Sequence, residues 1–327
     1  MTDYKGIKGG KIQNFSTNPP APIIGQVWYN ETTVTINYFS SSAAGAWATG
    51  TDLNTTKNEA AGAGHTQTSA IAFAGSPGVK ALAESWNGSA WTEVGDLNND
   101  RYEPAGAGAS NTAALCFGGI APGFTGNAEK WNGTAWTEVG DLNTPKLPGA
   151  GCGTNTSALS IGGNTPPNNY VDETESWNGT SWTELGNISR GTGYIAMSSA
   201  GVNNTAALLF GAYHISGSPA ARVALNESWN GTSWTEVADL NTARNAGGAG
   251  GTSTAALCWG GATPSVTAVT EKWNGTAWTE VGDLNTARQG FPEAAGTNTA
   301  ALAIGTGQVG CEEFSSPAEL TNTVDTD

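Results

Sequence analysis

Cysteine, histidine and cationic residues are all scarce in this 327-residue chain, and so are long apolar runs. Four cysteines (Cys116, Cys152, Cys258, Cys311) and two histidines (His65, His214), with no Cys-x-x-Cys, leave little material for a disulfide framework. The same shortage speaks against a metal site or a metal cofactor. Thirteen Lys and Arg against 28 Asp and Glu give a net charge of −15. That balance argues against nucleic acid, whose binding is dominated by cation–phosphate contacts. No run of about 18 apolar residues occurs, so no membrane insertion is expected. The opening Met1–Phe15 has lysines but no apolar stretch of the secretory type. Apolar residues make up only 38 % and charged residues 13 %, while glycine reaches 46 and tryptophan 13. Long Leu-rich helices are therefore excluded, and a core of small residues punctuated by large rings is predicted.

What the chain does have is a repeat, and a repeat governs the fold. Trp86-Asn-Gly-Ser-Ala-Trp91 returns as Trp131–Trp136, Trp177–Trp182, Trp229–Trp234 and Trp273–Trp278, at spacings of 45, 46, 52 and 44 residues. Thr-Glu-Val or Thr-Glu-Leu follows each second Trp, and then usually Asp-Leu-Asn-Thr. A Gly/Ala stretch and an apolar run such as Thr254–Gly261 complete the unit. Two partial copies flank the series: Trp47 is a second Trp without its first, and Phe314 stands where a first Trp belongs. The count is six units.

Each unit reads as four short strands. Asn-Gly between apolar residues is a strong hairpin signal, with positive φ expected at both turn positions. A two-residue turn at Asn132-Gly133 sets Trp131 opposite Thr134 and Glu129 opposite Trp136, so the two rings share a face as a diagonal pair roughly 7–8 Å apart at the backbone. The continuous apolar run before Gly-Gly fits a strand covered on both faces. Four strands in about 45 residues, repeated, are the signature of a β-propeller blade. The expectation is an all-β, six-bladed β-propeller over 41–315, closed by pairing of the Phe314 strand with the Trp47 strand, which removes two sheet edges. An extended N-terminal arm with a short hairpin occupies 1–40, and an acidic tail 316–327.

The order of basic residue, Gly-rich strand, apolar strand ending in Gly-Gly and later Trp resembles the kelch repeat, over about residues 46–315. The doublets stand at Gly118-Gly119, Gly162-Gly163 and Gly260-Gly261. The near-identical Glu-Lys/Ser-Trp-Asn-Gly-Thr-Ala/Ser-Trp-Thr-Glu-Val copies resemble kelch-like proteins encoded by bacteriophages, marine ones in particular. Ile24-Gly-Gln-Val-Trp-Tyr-Asn30 with Thr33–Phe39 resembles a hairpin near the ends of phage tail and fibre proteins. These resemblances imply a non-enzymatic virion protein, associated with the tail, a fibre or the capsid surface. They imply docking on other virion proteins through the N-terminal arm, with Trp28, Tyr29, Tyr38 and Phe39 as anchoring residues, and many copies in a symmetric assembly. Two other functions fit the same scaffold: a carbohydrate-binding or glycan-active propeller, and a cytoplasmic interaction adaptor.

Candidate binding residues fall in two groups. Lys57, Arg101, Lys146, Arg244 and Arg288 each lie four residues after the Leu of Asp-Leu-Asn, and Arg190 is a shifted equivalent. Cyclic repetition predicts a ring of cations at one channel mouth, suited to an anionic host glycan or a carboxylate-bearing partner. The plain alternative is that each pairs with a nearby Asp (Asp52, Asp96, Asp141, Asp239, Asp283) or with blade carbonyls. The second group lies in the variable segments between Gly-Gly and Trp, which emerge on that same face: Phe124, Tyr170, Tyr213 and His214. Cys116 and Cys258 fall in a repeat slot held elsewhere by Ala72, Ser160, Leu209 and Ala303, and are expected to be buried thiols.

Overall fold

A computed structural model of the chain describes residues 13–17, 27–40, 45–76, 78, 80–167, 169–215, 220–290, 294–305, 309–316 and 320–324. Among these the protein is all-β and carries no helix, with seven sheets in two compact units.

The larger unit spans Gly45–Ser315 and contains six sheets in a propeller-like arrangement. The first sheet shows the pattern: Ala61–Thr66, Ser69–Phe73, Ala83–Trp86 and Trp91–Val94 follow one another as an antiparallel meander. The second begins at Ala105, the third at Leu147, the fifth at Gly248 and the sixth at Ala294. The fourth carries an extra two-residue strand, Tyr194–Ile195, beside the far end of Ala206–His214. In the sixth sheet the outer strand is Ala46–Thr49, which pairs with Glu312–Ser315 and sets Phe314 opposite Trp47.

Gly and Ala dominate the innermost strands because backbones approach closely there. A Cβ on Gly106 would lie 2.5 Å from the Gly62 carbonyl oxygen of the neighbouring sheet. At such positions even a methyl group would force the strands apart, and the buried leucines, such as Leu115 and Leu257, lie in the second strands instead. The large rings lie farther out. Each of six hydrophobic clusters is shared by two sheets. The residue before Gly-Gly or its Ala-Gly counterpart, such as Phe117 or Phe73, meets the second Trp of the next sheet, with Phe73–Trp136 ring centroids 5.0 Å apart and Phe117–Trp182 4.9 Å apart. In the cluster between the sixth and first sheets, Leu302 and Ile304 pack with Trp86 and Trp91.

The Trp-Asn-Gly turn corrects the expected register. Trp131 lies directly opposite Trp136, not diagonal to it, and the connection is four residues long. The reason is the asparagine side chain: Asn132 Oδ1 accepts the N–H groups of Thr134 and Ala135, both at 2.9 Å, and so closes a wider turn. Only the glycine needs the left-handed region (Gly133, φ 95°), and Asn132 does not enter it. Direct opposition brings the paired rings to 5.2–5.5 Å between centroids, tilted by 37–42°.

The second Trp of each sheet has an indole N–H to satisfy. Trp234 donates to Thr174 Oγ1 at 2.9 Å and Trp47 to Thr270 Oγ1 at 3.0 Å. Trp136 and Trp182 are packed with Ala83 and Ala128 at the corresponding position, and their N–H groups are buried without an acceptor. Ala83→Thr is therefore expected to stabilise the protein by about 1 kcal/mol by supplying the missing oxygen. Equilibrium denaturation checks this: an unchanged or lowered midpoint would mean that the slot is too tight for the extra atoms.

The smaller unit comprises Met1–Ala44 and Ser316–Asp327. Its sheet orders Gln13–Phe15, Val27–Asn30, Thr35–Ser40 and Leu320–Val324. The expected hairpin is present, with Trp28 opposite Asn37. The separate acidic tail is corrected: Leu320–Val324 pairs antiparallel with Thr35–Ser40, so both chain ends share one sheet. Leu-Thr-Asn-Thr-Val is free of charge and rich in β-branched residues, with the acids confined to its flanks. The Lys5, Lys8 and Lys11 positions and the Asn18–Pro22 segment lie outside the described residues.

Candidate functional site

The six repeat-equivalent cations form no open collar. Lys57, Arg101, Lys146, Arg244 and Arg288 are buried, none more than 6 % exposed, and Arg190 is partly buried with its side chain 4 % exposed. Arg101 Nη2 donates to Glu129 Oε1 at 2.7 Å, and its Nη1 donates to the Asn127 and Gly118 carbonyls at 2.7 and 3.3 Å. Lys146 pairs with Glu175 at 3.1 Å, Arg190 with Glu227 at 2.7 Å and Arg288 with Glu312 at 2.6 Å. Arg244 pairs with Glu271, and Lys57 Nζ donates to the Leu82 carbonyl at 3.0 Å. Of the alternative partners, the blade carbonyls are present, as with Leu82, Asn127 and Gly118, but the aspartates are corrected. Asp141, Asp239 and Asp283 accept backbone N–H groups of Ala128, Asn226 and Thr270. Five of the cations are met instead by the glutamate two residues before the first Trp, or before Phe314 in the sixth sheet.

That glutamate is a staple. Glu129 Oε2 also accepts from the backbone N–H and the side-chain amide of Asn98, at 2.7 and 2.8 Å, which ties the Asp-Leu-Asn connection to the next sheet. The same grip joins Asn54 to Glu84, Asn143 to Glu175, Asn241 to Glu271 and Asn285 to Glu312. At the fourth sheet Ser189 replaces the asparagine. Burial alone would raise the Glu227 carboxyl. The bonds from Arg190 and Ser189 and the charge of Arg190 outweigh it and hold the group below the usual range. The stability from this pair is accordingly present above the ordinary carboxylate pKa and lost as pH falls through the lowered value.

With these charges internal, the chemistry open to a ligand is elsewhere on the face of the Asp-Leu-Asn connections. A cavity of about 510 Å³ is lined by Asn58 and Glu59 of the first sheet, Tyr213 and Arg222 of the fourth, Asn245, and Gln289. Tyr213 and Arg222 are cross-strand neighbours. The Arg222 guanidinium lies over the Tyr213 ring, 5.5 Å from its centroid, and its Nε donates to Asn245 Oδ1 at 3.0 Å. On the other face of the same strand, His214 stacks on Tyr194 at 4.4 Å, and Arg190 lies 5.6 Å from that ring.

The rim of this region holds unusual backbone. Glu59, Glu103, Ala196 and Ala246 all have φ of 51–54°, where residues other than glycine are strained. Each takes part in a backbone bond between segments: Glu103 N to Glu59 O at 2.7 Å, Ala246 N to Ala196 O at 2.8 Å, and Gly290 N to Ala246 O at 3.1 Å. Burial, and then repulsion from Glu59, pushes the Glu103 carboxyl up to about 7. The folded state thus holds this proton more tightly than the unfolded chain. The associated stability is full below about 4.5 and lost as pH rises through about 7. Glu103→Gln should leave stability at pH 4 unchanged and raise it at pH 8. Thermal unfolding across that range is the check, and a variant that tracks the parent at both ends would refute it.

Of the loop residues expected to bind, the structure brings only Tyr213 into the cavity. His214 faces Tyr194 instead. Phe124 bridges back to Ile120 in the second sheet, and Tyr170 pairs with Asn164 in the third. Sequence reasoning missed Arg222, although it is the one arginine outside the Asp-Leu-Asn register. In the smaller unit Trp28 is fully buried and Tyr29 half-buried. Tyr38 and Phe39 sit in the strand paired with Leu320–Val324, and their side chains lie outside the described residues.

All four cysteines are buried free thiols, and burial pushes Cys116 and Cys152 up to about 12 and Cys258 to about 11. Among the described residues no three His, Cys, Asp or Glu side chains converge as a metal would require. The innermost strands enclose a narrow cavity of about 90 Å³, and one His65 ring nitrogen lies 3.0 Å from the Gly153 carbonyl oxygen of the third sheet.

No family model matches this chain, and no curated protein matches it. The solved structure of YjhT is similar in fold, with a TM-score of 0.65 at 13 % identity over 84 % of this chain and 99 % of that one. At that identity the likeness concerns the fold alone.

Proposed function

We propose that residues 45–315 form a closed six-bladed β-propeller that presents the Tyr213–Arg222 cavity, and that the chain is a non-enzymatic bacteriophage virion protein. Closure is supported by the Trp47–Phe314 pairing and by Gln67, whose side-chain amide in the first sheet donates to the Ala301 and Phe314 carbonyls of the sixth, both at 3.1 Å. The phage reading is supported by the resemblance of the Trp-Asn-Gly copies and of the Ile24–Phe39 hairpin. The sheet built from both chain ends serves as the anchor to other virion proteins at the tail, a fibre or the capsid surface, in many symmetric copies. The propeller is then a rigid display whose mouth meets a host-surface glycan or a neighbouring protein.

The observation that carries the binding role is the division of labour among the charges. The repeated cations are used up inside the blades, whereas a non-repeated arginine, tyrosine and set of amides gather at one mouth. Variable polar groups on an over-determined scaffold are the usual design of a binding surface. Mass spectrometry of purified particles is the test, and absence of the chain from them removes the virion reading. Deleting 1–44 together with 316–327 is expected to abolish incorporation while leaving the propeller folded.

A further inference from the structure

Four of the five arginines are neutralised by a buried glutamate: Arg101, Arg190, Arg244 and Arg288. Arg222 is not. Its guanidinium is fixed from one side by the Tyr213 ring and along one edge by Asn245 Oδ1. Among the described residues its two terminal amino groups have no hydrogen-bond partner. Among the described residues no carboxylate forms an ion pair with Arg222, and Glu59, which lines the same cavity, is not paired with it.

From this we infer that Arg222 reads a carboxylate on a hydroxyl-rich ligand, that is, a sugar acid within a glycan. The inference rests on the mouth being the binding face, as proposed above. A guanidinium presents paired N–H donors in a planar fork that matches two carboxylate oxygens, and pinning by Tyr213 and Asn245 removes most of the rotamer freedom that binding would otherwise have to freeze. The rest of the cavity suits a sugar. Tyr213 offers an aromatic surface, Asn58, Ser76 and Gln289 offer neutral donors and acceptors, and about 510 Å³ is within the usual range for small-ligand sites. Glu59 lines the same cavity. Its carboxylate accepts hydroxyl groups and repels a second negative charge, so the cavity favours a monoanion over a phosphate dianion.

The test titrates the full-length protein with glucuronate, glucose and glucose 6-phosphate, followed by ligand-observed NMR or calorimetry. Glucuronate is expected to bind at least tenfold tighter than either of the others. Arg222→Gln should weaken it roughly tenfold to a hundredfold, the range for bonds to a charged group. Arg222→Lys should recover only part of the loss. Thermal unfolding of both variants within a degree of the parent establishes that the fold is intact. Failure of glucuronate to bind, equal binding of glucose, tighter binding of the phosphate, or indifference to Arg222→Gln each overturns the assignment. The two readings fail separately. Particles whose adhesion depends on Tyr213 but ignores Arg222→Gln refute the carboxylate and keep the display role. Glucuronate binding by a chain missing from particles does the reverse.

Discussion

Glu271→Ala is expected to destabilise the protein by about 3–5 kcal/mol, the cost of stranding a buried charge. The variant leaves the Arg244 guanidinium in place, 1 % exposed, with only neutral acceptors, the Gly260, Val269 and Thr242 carbonyls, and no counter-charge. It also removes the acceptor for the Asn241 and Thr242 N–H groups and one of the two acceptors of the Asn241 side-chain amide, which keeps the Trp278 carbonyl. The desolvation of the ion pair has already been met in the folded state, so removal of one partner exposes its full cost. Arg244→Met/Glu271→Leu should recover much of the loss, because an apolar pair of similar volume carries no such penalty. Equilibrium denaturation of the two single variants and the double variant measures the coupling. A Glu271→Ala loss below about 1 kcal/mol, the scale of an exposed pair, would mean that the staple is wet and that the cations are available to a ligand after all.

Trp47→Ala is the second large effect, again about 3–5 kcal/mol by the usual cost of truncating a buried aromatic. Trp47 belongs to an outer strand contributed by the start of the propeller unit. Even so, its ring is 6 % exposed, lies 5.2 Å from both Trp259 and Phe314, and donates to Thr270. Trp136, in mid-chain, has the same burial and a matching contact to Phe73. The two alanine variants are therefore expected to cost similar amounts in denaturant titrations. If Trp47→Ala were near neutral while Trp136→Ala were costly, the outer strand of the sixth sheet would be frayed rather than integral.

The repeat made most of the larger unit legible. The spacing of Trp-Asn-Gly-x-x-Trp predicts the four-strand sheets, and the half-copies at Trp47 and Phe314 predict their pairing. The register of the turn was hidden because Asn-Gly has two uses. Its backbone suits a two-residue hairpin, but here the Asn132 carbonyl oxygen of the side chain caps a four-residue connection. The fate of the cations was hidden for a similar reason. Arg101 and Glu129 are 28 residues apart, and only the path of the chain from one sheet to the next brings them together. Nearby aspartates looked like better partners, but Asp141, Asp239 and Asp283 are drawn off by backbone N–H groups. Arg222 escaped notice because attention to periodicity favours what repeats, whereas binding specificity resides in what does not. The Leu320–Val324 strand was masked by the acids around it, which set the charge of the segment without entering the strand.

Everything proposed for the mouth requires that the two ends of the larger unit meet in one sheet. Ala48 and Glu313 are directly opposed there, and the roughly 4.5–5.5 Å between Cα atoms of such pairs lies within the disulfide span. The variant Ala48→Cys/Glu313→Cys, oxidised under mild conditions while the four native thiols stay buried, measures this directly by peptide mapping under non-reducing conditions. The expected result is near-complete linkage of residues 48 and 313 within one chain. Two free thiols, or linkage only between chains, would contradict it.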